Sequence, residues 1–520
     1  MFKGILVNKF LICLFFISNL YANVPIIIGS KSFSESVINS EMLALLLEDS
    51  GEKVIRKFSL GGTKVAFDAL NHGGIHVYPD YTGTGYVMIL KMNGEREPKK
   101  VHEIVSRQFL DKYGIAWSKP LGFNNTYALT IRKNDKELSS IKTISELAGK
   151  LGAYKLGAPY EFMERKDGYK GMASEYGLNF SQENIVSMNA GLMYSAIKDK
   201  QVDFIVSYST DGRIKAFNLR ILKDDKNYFP PYNPAFLAKA DFLKQNPVLK
   251  ETIQKLEGLI SEDEMIEMND QVDRLKQDPK DVARNFLINK KLLKGEIINQ
   301  EVQTSFISFA YSRKGELLKL VIEHLWLSFS AIFFALLISL PLGVLLTRKE
   351  KAAKLIFPVI NTIQTIPSLA LLGFLIPILG IGFAPAALAL FLYSLLPLVR
   401  NTYEGIRAVD RNFVEASRGI GLTNTQILFK VEIPLALPII LAGLRTATVI
   451  VIGTATLAAL IGAGGLGDPI FRGVSTVNSN LILLGAIPSA LLAIIADKFI
   501  GWSETQLVSK GIRLAKKRRA

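Results

Sequence analysis

The pattern of apolar and polar positions divides the chain into two unlike halves. Between about Val24 and Leu293, short apolar runs alternate with charged segments, as in "PIIIGS" followed by "SESVINSEMLALLLEDSG". Short apolar runs bounded by turns predict strands, and the longer amphipathic segments between them predict helices. This half therefore predicts an α/β domain with a mixed sheet, arranged in two lobes.

The second half is dominated by apolar stretches from which charge is nearly absent. A helix needs roughly 17–25 apolar residues to cross a bilayer. Prolines inside the stretches predict kinked or interrupted helices. An all-α polytopic membrane domain is expected, with five spans near residues 324–346, 355–379, 384–400, 434–461 and 480–500.

Basic residues are distributed unevenly around these spans. They follow the first, third and fifth spans, whereas the other two connections contain only Arg472 as a basic residue. Cytoplasmic loops carry the excess of lysine and arginine, so the chain is expected to start outside and end inside. The net charge of +15 is explained by this orientation, and no nucleic-acid partner is expected.

The first residues have the features of an export signal. Lys3 and Lys9 precede an apolar core from Phe10 to Leu20, and Ala22 could end a cleavage site. Leu20 is large for such a site, so an uncleaved anchor stays open. The only cysteine, Cys13, lies in this segment, which excludes thiol chemistry from the exported part.

The expected layout is a signal peptide or anchor over 1–22, an exported domain over 23–293, a linker over 294–320, a membrane domain over 321–505 and a basic cytoplasmic tail over 506–520.

No catalytic constellation is found in the sequence. His72 and His76 share a segment but have no third metal ligand at a plausible spacing. The "GSKS" stretch that starts at Gly29 lacks the glycines and the Gly-Lys-Ser/Thr ending of a phosphate loop. The chain is therefore expected not to be an enzyme and not to hydrolyse ATP itself.

Tyrosines near turns are the main candidates for ligand binding. They occur in "YPDYTGTGY", "FNNTYALTI", "SYSTDGRI" and "FPPYNP". A quaternary ammonium group has no proton to donate, so proteins hold it against aromatic ring faces. An anionic end of such a ligand would need donors, which Gly61, Gly62 and Thr63 offer at a helix start. The same turn could serve only as a helix cap.

These stretches carry a resemblance to a known family. Together with "IIIGSKSFSES" and "GGTKVAFDALNHGGIHVYPDYTGTG", they resemble the substrate-binding proteins of osmoprotectant ABC importers for glycine betaine, carnitine and choline. "INTIQTIPSLALLGFLIPILGIG" and "GTATLAALIGAGGLG" resemble the permease subunits of the same systems. The resemblance covers most of residues 26–505. It implies a periplasmic-binding-protein-like domain fused to an ABC importer permease in the cell membrane.

The resemblance also implies the site and the mechanism. Thr63 would donate to the polar end of the ligand, and Thr84 lies where the family varies residues to choose among ligands. Import would proceed by alternating access in a permease homodimer, with no cofactor bound by this chain and with ATP used by a separate cytoplasmic ABC ATPase subunit. The residues implied for the cage around a trimethylammonium group are Tyr81, Tyr127, Tyr208 and Tyr232.

Two alternatives remain open at the level of sequence. Ergothioneine also carries a trimethylammonium and a carboxylate, so the same cage would serve it. A ligand-gated channel or receptor would need a pore helix or a signalling domain, yet only about twenty residues follow the last apolar stretch.

A polar segment between two spans, "EASRGIGLTNTQILFKVEIP", resembles the cytoplasmic coupling motif of ABC importer permeases through Glu415, Ala416 and Gly421. Gly421 is predicted to end one helix in the left-handed conformation, and Thr423 and Gln426 to form a capping box for the next.

Arg445, inside the fourth span, is expected to face a protein or aqueous interior, either paired across helices or in a transport role.

Overall fold

The computed structural model describes residues 25–298, 305–476 and 478–508, and the expected signal peptide and most of the basic tail lie outside them. The chain forms two compact units. The first comprises the described residues of 1–58 and 75–300, and the second those of 59–74 and 301–520. The domain boundaries expected from the sequence stay predictions.

The first unit contains two five-stranded mixed sheets, one in each lobe. Their strand orders are β2-β1-β3-β10-β4 and β7-β6-β8-β5-β9. The chain crosses between the lobes twice, at residues 118–126 and 222–233, so the predicted two-lobed α/β fold is confirmed. The strands are β1 Ile26–Gly29, β2 Val54–Lys57, β3 Val77–Tyr81, β4 Ile115–Trp117, β5 Tyr127–Arg132, β6 Leu156–Pro159, β7 Ile185–Met188, β8 Phe204–Tyr208, β9 Leu219–Ile221 and β10 Pro234–Lys239.

Helix α1 (Ser34–Asp49) forms the centre of the first lobe. It packs against α10 (Pro247–Leu256), α11 (Glu262–Asp273) and α12 (Pro279–Asn289) and is buried along most of its length. Helix α12 begins as predicted, with the Asp278 side chain accepting from the Lys280 N–H and Pro279 in the first position. Helix α2 groups with the second unit. The helices up to residue 289 are α1 Ser34–Asp49, α2 Thr63–Asn71, α3 Thr82–Thr84, α4 Pro98–Tyr113, α5 Tyr160–Glu164, α6 Tyr169–Tyr176, α7 Ala190–Lys198, α8 Arg213–Ala216, α9 Ala240–Gln245, α10 Pro247–Leu256, α11 Glu262–Asp273 and α12 Pro279–Asn289.

The second unit is helical, as predicted. Among the described residues, four continuous helical segments are long and apolar enough to cross a membrane: Lys314–Arg348, Phe383–Arg407, Asn424–Ile461 and Ser479–Leu507. A further pair of helices, α15 (Glu350–Thr365) and α16 (Ser368–Leu379), is bent by 99°. Counting this pair as one broken span gives five spans. The helices are α13 Phe306–Ser312, α14 Lys314–Arg348, α15 Glu350–Thr365, α16 Ser368–Leu379, α17 Phe383–Arg407, α18 Arg411–Gly419, α19 Asn424–Ile427, α20 Ile433–Ala455, α21 Gly467–Ser475 and α22 Ser479–Leu507.

The bend between α15 and α16 lies at Ile366 and Pro367. Proline disfavours helical geometry at the preceding residue and cannot donate a backbone hydrogen bond, so the helix ends there. This break interrupts the second predicted span, whereas the other spans are continuous helices although each contains a proline.

Arg445 is paired across two membrane helices. Its Nε and Nη2 lie 2.8 and 2.7 Å from the two carboxylate oxygens of Asp497 on α22. A bidentate pair satisfies both charges where water is scarce. Of the two interpretations of Arg445, this geometry favours the structural one.

Candidate functional site

Tyr127 and Tyr208 lie directly opposite each other on β5 and β8, which pair antiparallel. Their ring centroids are 5.3 Å apart. Opposite residues in an antiparallel pair point to the same face of the sheet, so the strand register alone brings these two rings together. Tyr127 is the first residue of β5 and Tyr208 the last of β8, which puts the pair at the edge of the second lobe next to a crossover.

Tyr232 joins the pair from the other crossover. Its ring centroid lies 5.6 Å from that of Tyr127, in an edge-to-face arrangement. The segment around it is held by Thr82, whose hydroxyl donates to the Pro231 carbonyl at 3.0 Å and accepts from the Asn233 N–H at 3.1 Å. A Cβ on Gly83 would lie 2.7 Å from the Tyr232 ring. The glycine in "YTGTGY" is therefore needed for this approach.

Tyr81 completes the group from the first lobe, at the end of β3. It is buried in the same apolar cluster as Tyr127 and Tyr232. Phe33 lies between Tyr81 and Tyr208, with centroid distances of 6.0 and 6.3 Å. The structure thus brings all four predicted tyrosines together, and it adds Phe33, which the sequence reasoning missed.

The two predicted threonines differ in position. Thr84 is buried at the end of α3, three residues after Tyr81. Thr63 is the first residue of α2, with Gly62 as the helix N-cap, and it belongs to the second unit. The helix start at the Gly-Gly-Thr turn is confirmed, whereas the role of Thr63 as a ligand donor stays a prediction.

A buried arginine lies against the aromatic cluster. The Arg165 guanidinium is 5.4 and 5.5 Å from the ring centroids of Tyr127 and Tyr232, and its Nη2 donates to the Tyr232 hydroxyl at 2.8 Å. Two further bonds, of 2.8 and 2.7 Å, run to the Asp167 carboxylate. The Arg165 side chain is only 1% exposed. Sequence reasoning missed it because "ERKD" has no distinguishing local pattern.

A second buried cation lies on the other side of the cluster. Lys31 Nζ is 4.9 Å from the Tyr81 ring centroid and 5.4 Å from that of Phe33. It pairs with Asp80 at 2.7 Å. Lys31 belongs to the "GSKS" stretch, which the sequence reasoning tested only as a phosphate loop.

The site keeps its phenols neutral. Burial raises the pKa of Tyr81, Tyr127 and Tyr232 well above the ordinary tyrosine value. Neutral rings present negative π faces to a cation, and their hydroxyls remain hydrogen-bond donors. The arrangement therefore offers ring faces for a cationic group beside two buried cations for an anionic one.

In the second unit, the polar segment between two spans forms short exposed helices. Glu415 and Ala416 lie exposed on α18, and Gly421 follows that helix with φ +85°. Thr423 and Gln426 form the predicted capping box at the start of α19. The local geometry predicted for this segment is confirmed.

A two-lobed domain with a buried tyrosine cluster, followed by an apolar helical domain, is the arrangement of a ligand-binding module joined to a membrane transport domain. Residues 24–289 match the family described as the substrate binding domain of ABC-type glycine betaine transport systems, and residues 339–508 match the binding-protein-dependent transport system inner membrane component. The first match spans more than half of the chain. The chain belongs to this family, with the substrate-binding domain fused to an ABC permease domain, and it is a multi-pass membrane protein and a transport subunit rather than an enzyme.

Each individual relative matches either the binding domain or the permease domain of this chain. The glycine betaine/carnitine/choline transport system permease protein OpuCB of Bacillus subtilis is 47% identical over 207 residues, covering 40% of this chain and 95% of its own. The carnitine transport binding protein OpuCC of Listeria monocytogenes is 36% identical over 272 residues, covering 52% and 88%. A crystal structure described as a glycine betaine/carnitine/choline ABC transporter is 36% identical, with a TM-score of 0.45, and covers 51% of this chain and 99% of its own. These comparisons give no support to the ergothioneine or channel alternatives.

The pairing of Arg165 with Asp167 predicts a large effect on stability. Asp167→Leu leaves a buried guanidinium without its carboxylate, so the free energy of unfolding should fall by roughly 3–5 kcal/mol. Arg165→Leu combined with Asp167→Leu should recover much of this loss. The measurement is calorimetric unfolding of the purified full chain. Asp241→Leu, which breaks an exposed pair with Lys244, is the control and should cost about 1 kcal/mol or less. If Asp167→Leu and Asp241→Leu lowered the free energy of unfolding equally, the assignment of a buried Arg165–Asp167 pair would be contradicted.

Proposed function

We propose that the chain is the substrate-binding and membrane-permease subunit of an ATP-driven importer for quaternary ammonium compounds: glycine betaine, choline, carnitine or a related betaine. The observation that carries the proposal is the convergence of Tyr81, Tyr127, Tyr208 and Tyr232 from both lobes and one crossover on a single buried cluster. The names of the relatives agree with this substrate class.

The cage suits a methylated ammonium for a physical reason. Such a cation has no hydrogen-bond donor. Hydrogen-bond acceptors in a site therefore bind it no better than water does. Each ring face contributes roughly 0.5–2 kcal/mol, depending on how far the cation is desolvated. Several rings together therefore select for the methylated cation without any specific hydrogen bond.

The two buried cations favour a ligand that also carries a carboxylate. Arg165 and Lys31 lie beside the rings, and each already has one aspartate partner. A ligand carboxylate next to either cation would add charge-assisted hydrogen bonds. Glycine betaine and carnitine carry such a group and choline does not, so the betaines are expected to bind more tightly.

The transport cycle needs a second protein. ABC importers draw their work from a cytoplasmic ATPase chain, and no phosphate-loop motif is found in this sequence. The distribution of basic loops favours a binding domain outside the cytoplasm. A permease with five spans would form its pathway as a homodimer, and the covalent tether would raise the local concentration of the binding domain at its permease. No cofactor of the chain itself is required.

The exposed coupling segment is the proposed point of contact with the ATPase. Glu415, Ala416 and Gly421 carry the resemblance. Phe413, on the same helix α18, is 56% exposed, and Ile420, directly after that helix, is 79% exposed. Exposed apolar residues on a short helix are typical of a helix that docks into a groove. A short capped helix would transmit movement because it does not bend.

The substrate class is tested by calorimetric titration of the purified full chain in nanodiscs with glycine betaine, carnitine, proline betaine, choline and ergothioneine. Betaines are expected to bind, and more tightly than choline, because only they carry the carboxylate that Arg165 and Lys31 favour. No binding to any of the five compounds would overturn the proposal. Tighter binding of ergothioneine than of every betaine would favour that alternative.

The cage is tested by removing single rings. Tyr127→Leu and Tyr208→Leu keep an apolar side chain but lose a ring face, so the affinity for the best ligand of the panel should fall roughly 2- to 30-fold. Tyr176→Leu is the matched control, because Tyr176 is buried in the same cluster but contacts Tyr228 and Asp224 instead of the four tyrosines. Wild-type affinity in both cage variants would refute the assignment.

The coupling segment is tested with two alanine substitutions. Gly421→Ala forces a side chain onto a residue at φ +85°, whereas Gly419→Ala falls at an ordinary φ, and neither added Cβ meets another atom within 4 Å. Gly421→Ala should lower both the amount of ATPase chain that co-purifies from native membranes and the rate of ligand uptake. Gly419→Ala should leave both near wild type. Equal behaviour of the two variants would speak against a coupling role.

A further inference from the structure

A fully buried glutamate lies at the start of α1. Glu35 is 3% exposed and accepts four hydrogen bonds. Its Oε1 accepts from the Tyr81 hydroxyl at 2.5 Å and from Asn125 Nδ2 at 2.8 Å. Its Oε2 accepts from the Thr210 hydroxyl at 2.5 Å and from Asn269 Nδ2 at 3.0 Å. Both oxygens are thus occupied by the protein itself.

The four donors come from four different parts of the first unit. Tyr81 ends β3 in the first lobe, and Asn125 lies in a crossover. Thr210 follows β8 in the second lobe, and Asn269 lies on α11, which packs into the core of the first lobe. A single carboxylate therefore links a cage tyrosine, a crossover and both lobes.

The chemistry of the donors requires a carboxylate at this position. All four groups act as donors, and only an ionised carboxylate can accept from all of them at once. Burial raises the pKa of Glu35, and the four side-chain hydrogen bonds act in the opposite direction. A glutamine would turn an NH₂ group towards one hydroxyl and one asparagine NH₂ group. The hydroxyl can accept from it but the asparagine NH₂ cannot, so the link to one asparagine would be lost.

The second lobe is held at the same place by further contacts with α11. Asn269 Nδ2 also donates to the Thr210 carbonyl at 3.0 Å, and Arg213 Nη2 lies 3.4 Å from the Asp273 carboxylate. A Cβ on Gly212 would lie 2.5 Å from the Asp270 Cβ. The segment Thr210–Arg213, which we name the latch segment, thus lies tightly against a helix of the first lobe.

We propose that Glu35 is a positioning residue that couples contact between the two lobes to the orientation of Tyr81, and so sets ligand affinity without touching the ligand. The proposal rests on the proposed function for its effect on affinity. Its effect on lobe closure is independent of which ligand binds. Losing Glu35 would release the latch segment and the Tyr81 hydroxyl together, because both are bonded to the same carboxylate.

The experiment measures the distance between the lobes in the full chain in nanodiscs. The single native cysteine is removed by Cys13→Ser, and spin labels are attached through Lys53→Cys in the first lobe and Asp199→Cys in the second. Both positions are exposed, and they lie in segments that carry no partner of Glu35. Distance distributions are recorded without ligand and with glycine betaine, and ligand association and dissociation rates are measured separately.

Three variants test the proposal. Glu35→Gln removes the carboxylate, and Thr210→Val removes only the donor from the second lobe. Glu41→Gln is the matched control: Glu41 is also buried on α1, but its partner is Arg56 on β2 of the same lobe. All three variants remove a buried carboxylate or hydroxyl that accepts or donates hydrogen bonds, so a general loss of stability would affect them alike.

Glu35→Gln and Thr210→Val should each shift the ligand-free distances towards longer values. Each should weaken ligand binding by roughly 10-fold or more, mainly through faster dissociation. Combining them should weaken binding by less than the product of the separate effects, because they break the same link. Glu41→Gln should leave distances and rates near wild type.

Unchanged ligand-free distances in Glu35→Gln would overturn the proposal, whatever happens to affinity. An equal shift in Glu41→Gln would show that burial of charge on α1, not the link to the latch segment, controls closure. If the wild type binds none of the compounds in the panel, the proposed function fails, yet the ligand-free distances still decide the role of Glu35.

Discussion

The antiparallel pairing of β5 with β8 is the constraint on which the site depends. It sets Tyr127 opposite Tyr208, and each of these residues lies at the end of its strand where the chain passes between the lobes. Because side chains alternate across a sheet, a slip of one residue would turn one of the two rings to the opposite face. Tyr232 then reaches the pair only because it lies in the second crossover, and Gly83 leaves room for its ring.

Buried charges give this aromatic cluster its polarity. A charge that is isolated from water is very unfavourable, so each one must be paired within the protein. Arg165 is paired with Asp167 and Lys31 with Asp80, and both cations also lie against rings of the cluster. Glu35 is satisfied by four neutral donors instead. The same physical requirement thus produces two paired cations beside the rings and a hydrogen-bonded link between the lobes.

In the membrane unit, charged side chains are also paired within the protein, although it has fewer polar groups. Arg445 is satisfied by Asp497, and the buried Glu432 by Arg348. The segment that is proposed to contact an ATPase differs, because most of its residues from Glu415 to Gln426 are exposed. Gly421 separates its two short helices by adopting a conformation that other residues rarely take. Arg445 and Glu432 are therefore each paired within the protein, whereas the exposed residues of this segment are available to a partner.

The sequence by itself determined what local rules decide. Asp278 and Pro279 start a helix, Gly421 ends one, and Thr423 with Gln426 caps the next, because each effect acts within about one helical turn. The apolar stretches predicted the membrane helices for a similar reason, since hydrophobic length is a local property. Tyrosines near turns were candidates from the sequence itself, but the four cage residues were assigned through resemblance to a family. Only the tertiary structure decided that Lys31, Arg165 and Glu35 belong beside them, and which of the proline-containing spans is broken, with a bend of 99°. Glu35 and Asn269 are separated by 234 positions, so their hydrogen bond exists only once the helices of the first lobe have packed.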